Sequence, residues 1–279
     1  MESLKPMSRR SRFALALAAF FAFLVMVPAL ILYASGYRFS SVQGESGLVP
    51  MGALSVAVPD RPATLFVDGQ AVAEPGLFAD SFFLRNIHPG VHTLDVVASG
   101  TMPWHREVYV MPTKVAYAFP FILPTEPKIQ QLTNASSSYA VVVKTFASSS
   151  PVNLATSSDS AHVRSNVAVW IEDGHTVLVE WRGSDSETPY FLCSVVDAQE
   201  LCLEQTFIVI KSMVLSVDFF PGRDDVLVLT TDQGVFALEV DNRTERTLLP
   251  LHVAKNAQAL VSNGRIYVKD AKGIFELSI

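Results

Sequence analysis

Hydrophobic positions fall along this chain in three rhythms. From Phe13 to Tyr33 they are continuous, FALALAAFFAFLVMVPALILY, without a single charge. At about 1.5 Å per helical residue the run reaches roughly 31 Å, enough to cross a hydrocarbon core of about 30 Å. From Gly52 to Leu123 the apolar residues come in short alternating runs, the pattern of half-buried strands. Ala53–Val58 stops at Pro59-Asp60, Ala63–Val67 stops at the hairpin signal Asp68-Gly69, and Phe82–Ile87 stops before Pro89-Gly90. Val91–Val97, Trp104–Val110 and Val115–Leu123 complete the set. Beyond Val167 the rhythm changes to paired apolar runs around Asp/Gly turns. Two intervening stretches, 35–51 and 125–165, are rich in Ser and carry only one clear run, Tyr139–Phe146, which predicts a strand.

The expected fold is therefore an all-β soluble region behind a single N-terminal transmembrane helix. Its parts are a basic cytoplasmic tail at 1–12, an anchor at 13–34 and a linker at 35–51. A small β-sandwich at 52–124, a Ser-rich connection at 125–165 and propeller-like antiparallel sheets at 166–279 follow. Charge orients this arrangement. The first twelve residues hold Lys5, Arg9, Arg10 and Arg12 against Glu2, which leaves the rest of the chain with 17 basic and 26 acidic residues. The positive-inside rule keeps such a tail in the cytoplasm and sends the bulk outside. A cleaved signal peptide is the competing reading, but its apolar core is shorter and Leu32 is too bulky for the −3 place before Ala34-Ser35. An acidic body without a Lys/Arg stripe argues against nucleic acid.

The order Gly52-x-Leu54-x-Val56, Pro59, Ala63 and Val67-Asp68-Gly69 resembles the start of a PEGA domain. The likeness continues through Leu84-x-x-Ile87-x-Pro89-Gly90-x-His92-x-Leu94-x-Val96, Gly100 and Trp104. The naming tetrapeptide is degraded to Pro59-Asp60-Arg61-Pro62-Ala63, and Gly100-Thr101 replaces the usual Gly-Tyr. The resemblance implies a compact sandwich on an extracytoplasmic bacterial protein, and it implies no catalytic residues. In the last third, starts at Val167, Leu215 and Ala257 lie 48 and 42 residues apart, close to the period of a four-stranded blade. That grammar resembles β-propeller repeats, without a diagnostic Trp-Asp pair, and three blades are fewer than a closed ring usually needs.

Candidate chemistry is sparse. Cys193 and Cys202 flank Asp197-Ala198-Gln199-Glu200 and can meet across a hairpin as a disulfide; the alternative is two small buried hydrophobes. His88 and His92 have helical ligand spacing on a segment that reads as turn and strand, so neither they nor His105 predicts a metal site. Glu172-Asp173 and Asp224-Asp225 sit in turns, where carboxylates are solvated or cap amides. Asn134-Ala135-Ser136 and Asn242-Arg243-Thr244 fit the glycosylation pattern. No nucleophile elbow, zinc-protease helix or phosphate loop occurs, so no catalytic residue and no cofactor is expected. The expected role is binding or scaffolding outside the membrane, towards an envelope protein or a surface glycan. A cell-wall glycan module would use exposed aromatics, for which Trp181 and Tyr190 are the candidates. A membrane-tethered hydrolase is the remaining alternative.

Overall fold

The computed structural model describes residues 8–42, 45–57, 63–72, 81–148, 155–184, 187–196, 199–243, 246 and 248–279. Most of the basic tail, the degraded Pro59–Pro62 motif, the Asp197-Ala198 turn and Thr244 lie outside them. Two compact units divide the chain, each discontinuous in sequence.

The first unit gathers the described residues of Met1–Ala57, Pro75–His92 and Tyr109–Ala118. It begins with α1 (Arg9–Ala34), which takes in part of the basic tail and buries none of its residues. This helix is long and apolar enough to cross a membrane. Ser8 caps it, its side chain accepting from the Ser11 amide. Next comes a hairpin of β1 (Tyr37–Val42) and β2 (Glu45–Pro50), in place of the irregular linker that the Ser-rich composition predicts. β3 (Gly52–Ala57) alternates buried and half-buried residues, as its sequence does.

β4 (Ala63–Val67) and β5 (Gln70–Ala71) turn about Asp68-Gly69. Both turn residues have positive φ, 50° and 75°, the twist that a two-residue hairpin needs. β6 (Ser81–Ile87), β7 (Gly90–Ala98), β8 (Trp104–Val110) and β9 (Val115–Ala118) follow. They sort into two sheets, β6-β3-β9 and β5-β4-β7-β8. The first belongs to the first unit and most of the second to the second unit, so residues 52–124 contribute strands to both.

The second unit holds the described residues of Val58–Glu74, Thr93–Val108 and Phe119–Ile279. β10 (Lys128–Gln131) leads to α2 (Tyr139–Ser148), where sequence alternation predicts a strand. The helix wins because Tyr139, Val142 and Phe146 fall on one helical face and pack with Leu132 and Tyr267. Then come β11 (His162–Arg164), β12 (Val167–Glu172) and β13 (Thr176–Trp181). β14 (Cys193–Val196), β15 (Gln199–Cys202) and β16 (Gln205–Val209) continue the chain. β17 (Val214–Phe219), β18 (Val226–Thr231), β19 (Gly234–Glu239) and β20 (Leu248–His252) form one meander. β21 (Gln258–Ser262), β22 (Arg265–Asp270) and β23 (Gly273–Ser278) form the last.

Three four-stranded antiparallel sheets result, β11-β12-β13-β16, β17-β18-β19-β20 and β10-β23-β22-β21. Each contains one of the three sequence repeats. β10 comes from before the repeats yet pairs with the final strand, so it ties the two ends of the region together. One apolar cluster joins Val169, Ile171, Val177 and Val179 to Val217, Leu227, Leu229 and Leu238. A second joins Val226, Val228, Val235 and Ala237 to Ile266, Val268 and Leu277. The middle sheet is therefore buried on both faces.

Candidate functional site

A network of charges lies at the end of the middle sheet where β18 begins and β19 finishes. Arg106, on β8, is 1% exposed. Its Nη2 donates to Glu239 Oε2 at 2.7 Å, and Trp104 Nε1 donates to Glu239 Oε1 at 3.0 Å. Strand alternation puts Trp104 and Arg106 on the same side of β8, so both reach one carboxylate. Arg106 Nη1 also donates to the Asp241 carbonyl at 3.3 Å. Asp241 in turn accepts from Arg243 Nε and Nη2 at 3.0 and 2.7 Å. Next to it, Asp225 accepts two bonds from Arg223, both 2.7 Å, and one from the Tyr190 hydroxyl at 2.5 Å.

This corrects the expectation for Asp225, which is buried and not solvated in its turn. Burial is the reason it needs a bidentate guanidinium partner. The same burial, aided by the Asp225 carboxylate, pushes the Tyr190 phenol far above its ordinary value, and it stays a donor. Burial also raises Glu239, against the opposing pull of Arg106 and Trp104. Each acid accepts from a guanidinium, and the phenol is locked protonated. The Arg106–Glu239 bond joins β8 to β19.

Trp181 and Tyr190 are not brought together as an exposed platform. Each is half-buried against the apolar cluster between the first two repeat sheets. Trp181 donates from Nε1 to the Ser184 carbonyl at 3.0 Å. Its ring lies so close to Gly183 that a Cβ there would be 2.2 Å from Cζ2, so any larger residue would have to displace the ring. Tyr190 stacks on Phe119 with ring centroids 4.7 Å apart.

Cys193 and Cys202 form a disulfide across β14 and β15, where they are directly opposite in register. With Glu200 they make a cluster of metal-ligand dimensions, but both sulfurs are committed to each other. The His92 ring is 2.7 Å from the His88 carbonyl, not its ring, so the pair does not present two ring nitrogens to one point. His105 pairs with Asp95 at 2.6 Å. An open cleft of about 480 Å³ beside Phe220, Pro221 and Ile279 has Arg265 and Glu276 on its wall, bonded to each other.

A different feature stands out at the edge of β11-β12-β13-β16. In β16, Thr206 and Ile208 are buried while Phe207 and Val209 are 67% and 69% exposed. The Trp181 amide donates to the Glu204 carbonyl, and the Ile210 amide to the His175 carbonyl. Alternation then assigns the β13-facing bonds to residues 204, 206, 208 and 210. Gln205, Phe207 and Val209 turn their backbone groups to the other side, where no described strand pairs. Of those groups, the Phe207 carbonyl accepts from Arg246 Nη1 at 3.4 Å. Neither proline nor lysine interrupts the strand. In sequence, QTFIV is two polar residues followed by three apolar ones, so the alternation of burial along β16 and its edge position are seen only in the structure.

No family model matches the chain, and no curated protein matches it. Among solved structures, the chain has a distant likeness to SGBP-B of the Bacteroides ovatus mixed-linkage glucan utilization locus, solved with a mixed-linkage heptasaccharide. Identity is 13%, 81% of this chain and 39% of that chain are covered, and the TM-score is 0.15. That likeness is too distant to carry fold or function.

Proposed function

We propose that the protein is a non-catalytic binding or scaffolding component of the bacterial cell envelope. It is anchored by α1 with its N-terminus in the cytoplasm, and its β-units lie outside. Arg9, Arg10 and Arg12 at the start of the helix support that orientation. The PEGA-like motif residues between 52 and 124 and the propeller-like repeats belong to the same reading. The observation that carries the binding role is the open edge of β16. An extended segment of a partner protein can add there as a fifth strand, its backbone bonding to residues 205–209. Its apolar side chains would cover Phe207 and Val209. Protein is favoured over glycan because the aromatic candidates for sugar stacking, Trp181 and Tyr190, are tied into the core.

The test is photo-crosslinking of the full chain in intact cells, with the reactive residue placed at 207, 209 or 163. Val163 is exposed on the opposite edge strand, β11. Capture of one envelope protein from 207 and 209, through an alternating apolar peptide, and not from 163, is the expected result. Equal capture from all three positions, or none from 207 and 209, would overturn the reading. A glycan-bound chain without protein capture would replace it with the glycan alternative.

A further inference from the structure

The hairpin that follows α1 exposes an apolar pair that no described residue covers. Phe39 on β1 is 78% exposed and Leu48 on β2 is 54% exposed. They are directly opposite in register, so both side chains stand on one face of the hairpin. Such a pair costs free energy in water, and none of the described residues of the first unit covers it.

The hairpin is not a loose tether. The Met51 amide donates to the Gly36 carbonyl at 2.9 Å, which closes its base against the end of the helix. Arg38 reaches back from β1: its Nη1 donates to the Tyr33 and Tyr37 carbonyls, both at 2.8 Å. Its guanidinium carbon also sits 3.9 Å over the Tyr33 ring. A cation on the last helical carbonyls is the favoured arrangement at a C-terminus. The face of the hairpin that carries Arg38 is thus pinned to the helix end, and the face that carries Phe39 is left outward.

Distance decides what can cover it. Tyr33 ends the uncharged run, which places it at the edge of the hydrocarbon if α1 spans a bilayer. Arg38 Nη1 bonds the carbonyls of both Tyr33 and Tyr37, so Tyr37 begins close to that edge, and Phe39 is at most about 7 Å further along the strand at roughly 3.4 Å per residue. The interfacial layer on each side of a bilayer is about 5–8 Å deep. An upright hairpin would hold them above that layer, and one that leans over the bilayer surface brings both into it.

We infer that the β1–β2 hairpin is a second membrane contact, seating Phe39 and Leu48 among the headgroups and upper acyl chains of the bilayer that α1 crosses. It rests on the anchor reading of α1. With a helix through the membrane and a hairpin lying against it, the first unit would be fixed in height and rotation, unlike a body on a flexible stalk.

The chain has no free cysteine among the described residues, so single nitroxide labels can be placed on the full protein with its disulfide intact. Labels at Phe39→Cys, Leu48→Cys, Leu24→Cys in α1 and Val253→Cys on the second unit would be compared in nanodiscs of phosphatidylethanolamine and phosphatidylglycerol. At 39 and 48 the ratio of oxygen to nickel-chelate accessibility should exceed that at 253 by at least about threefold, as expected for interfacial insertion. If 39 and 48 match 253 while 24 reports acyl chains, the inference fails and the anchor stands. Shielding of 39 and 48 from both reagents would mean protein cover and would also overturn it. If 24 is itself in water, the anchor reading falls and the inference with it.

Discussion

The sheets β11-β12-β13-β16 and β17-β18-β19-β20 are both antiparallel, both four-stranded, and both centred on a hairpin of apolar strands. They finish differently. In the second, all six residues of β18 are buried, and the edge strand β20 carries Pro250. The pairing of β20 also shifts register near Val235. A proline and an irregular edge are both ways of refusing another strand. In the first, β16 has neither, and its outward residues are Phe and Val. The same repeat grammar thus builds one sheet guarded at its β20 edge and another whose edge strand β16 pairs with no further described strand. The difference lies in a few edge positions, not in the core pattern.

The largest effect should come from the closed side, where Arg106 is held by Glu239 and Asp241. Arg106→Met leaves two carboxylates buried without their shared cation, and breaking such a pair from one side costs about 3–5 kcal/mol. Urea unfolding of the full chain in detergent micelles, followed by tryptophan fluorescence, would measure it. A loss under about 1 kcal/mol would mean that the network is open to water and that the closed end is not closed.

Next is the core of the same sheet. Leu227, on β18, is fully buried in the cluster shared by the two sheets. Leu227→Ala should cost about 2–5 kcal/mol in the same assay, through lost burial and the cavity left behind. If the two sheets unfold together, a single transition moves. A split transition would separate them and weaken the comparison.

How far all this was legible in the sequence follows from the range of the interactions involved. The repeat strands were readable because paired apolar runs and Asp/Gly turns set them; Val226–Thr231 and Arg265–Asp270 fall where the pattern puts them. The α2 segment was misread because Val141, Val142 and Val143 favour a strand locally, while contacts with Leu132 and Tyr267 favour a helix. The hairpin at 37–50 was missed because its serines and glycines hide the alternation. The charge network had no local trace at all. Arg106 and Glu239 are 133 residues apart, and only the fold shows that an arginine on an alternating strand faces inward. Of the candidate site, neither the strand at 205–209 nor its edge position was read from the sequence, because QTFIV has no polar–apolar alternation.

A smaller effect should come from neutralising the acid instead of the base. In Glu239→Gln the amide oxygen still accepts a bond from Arg106 or Trp104, so the cost at neutral pH should be about 1 kcal/mol. The pH dependence has a definite sign. Burial raises Glu239 in the folded chain above its ordinary value of 4.5. The folded state then binds the proton more tightly, so this contribution to stability is complete below about 4.5 and is lost as pH rises through the folded value. The glutamine variant lacks that loss. The stability of the wild type relative to the variant should therefore fall between pH 4 and 8, and a relative rise would show that Arg106 outweighs burial.

The smallest effect on stability should be at the open edge, and it is the most telling. Val209→Lys places on β16 the kind of charge that other proteins use to guard an edge. Val209 is 69% exposed and its backbone faces away from β13, so unfolding free energy should stay within about 0.5 kcal/mol of wild type. Crosslinking from position 207 should nevertheless drop by about tenfold, since a buried lysine at a strand junction costs at least the 1.4 kcal/mol that a tenfold change represents. Loss of stability without loss of capture would show that β16 is already covered within the chain, and that its likeness to a docking edge is only local. Loss of capture at constant stability would separate binding from folding on a single strand, where the closed sheet beside it permits no such separation.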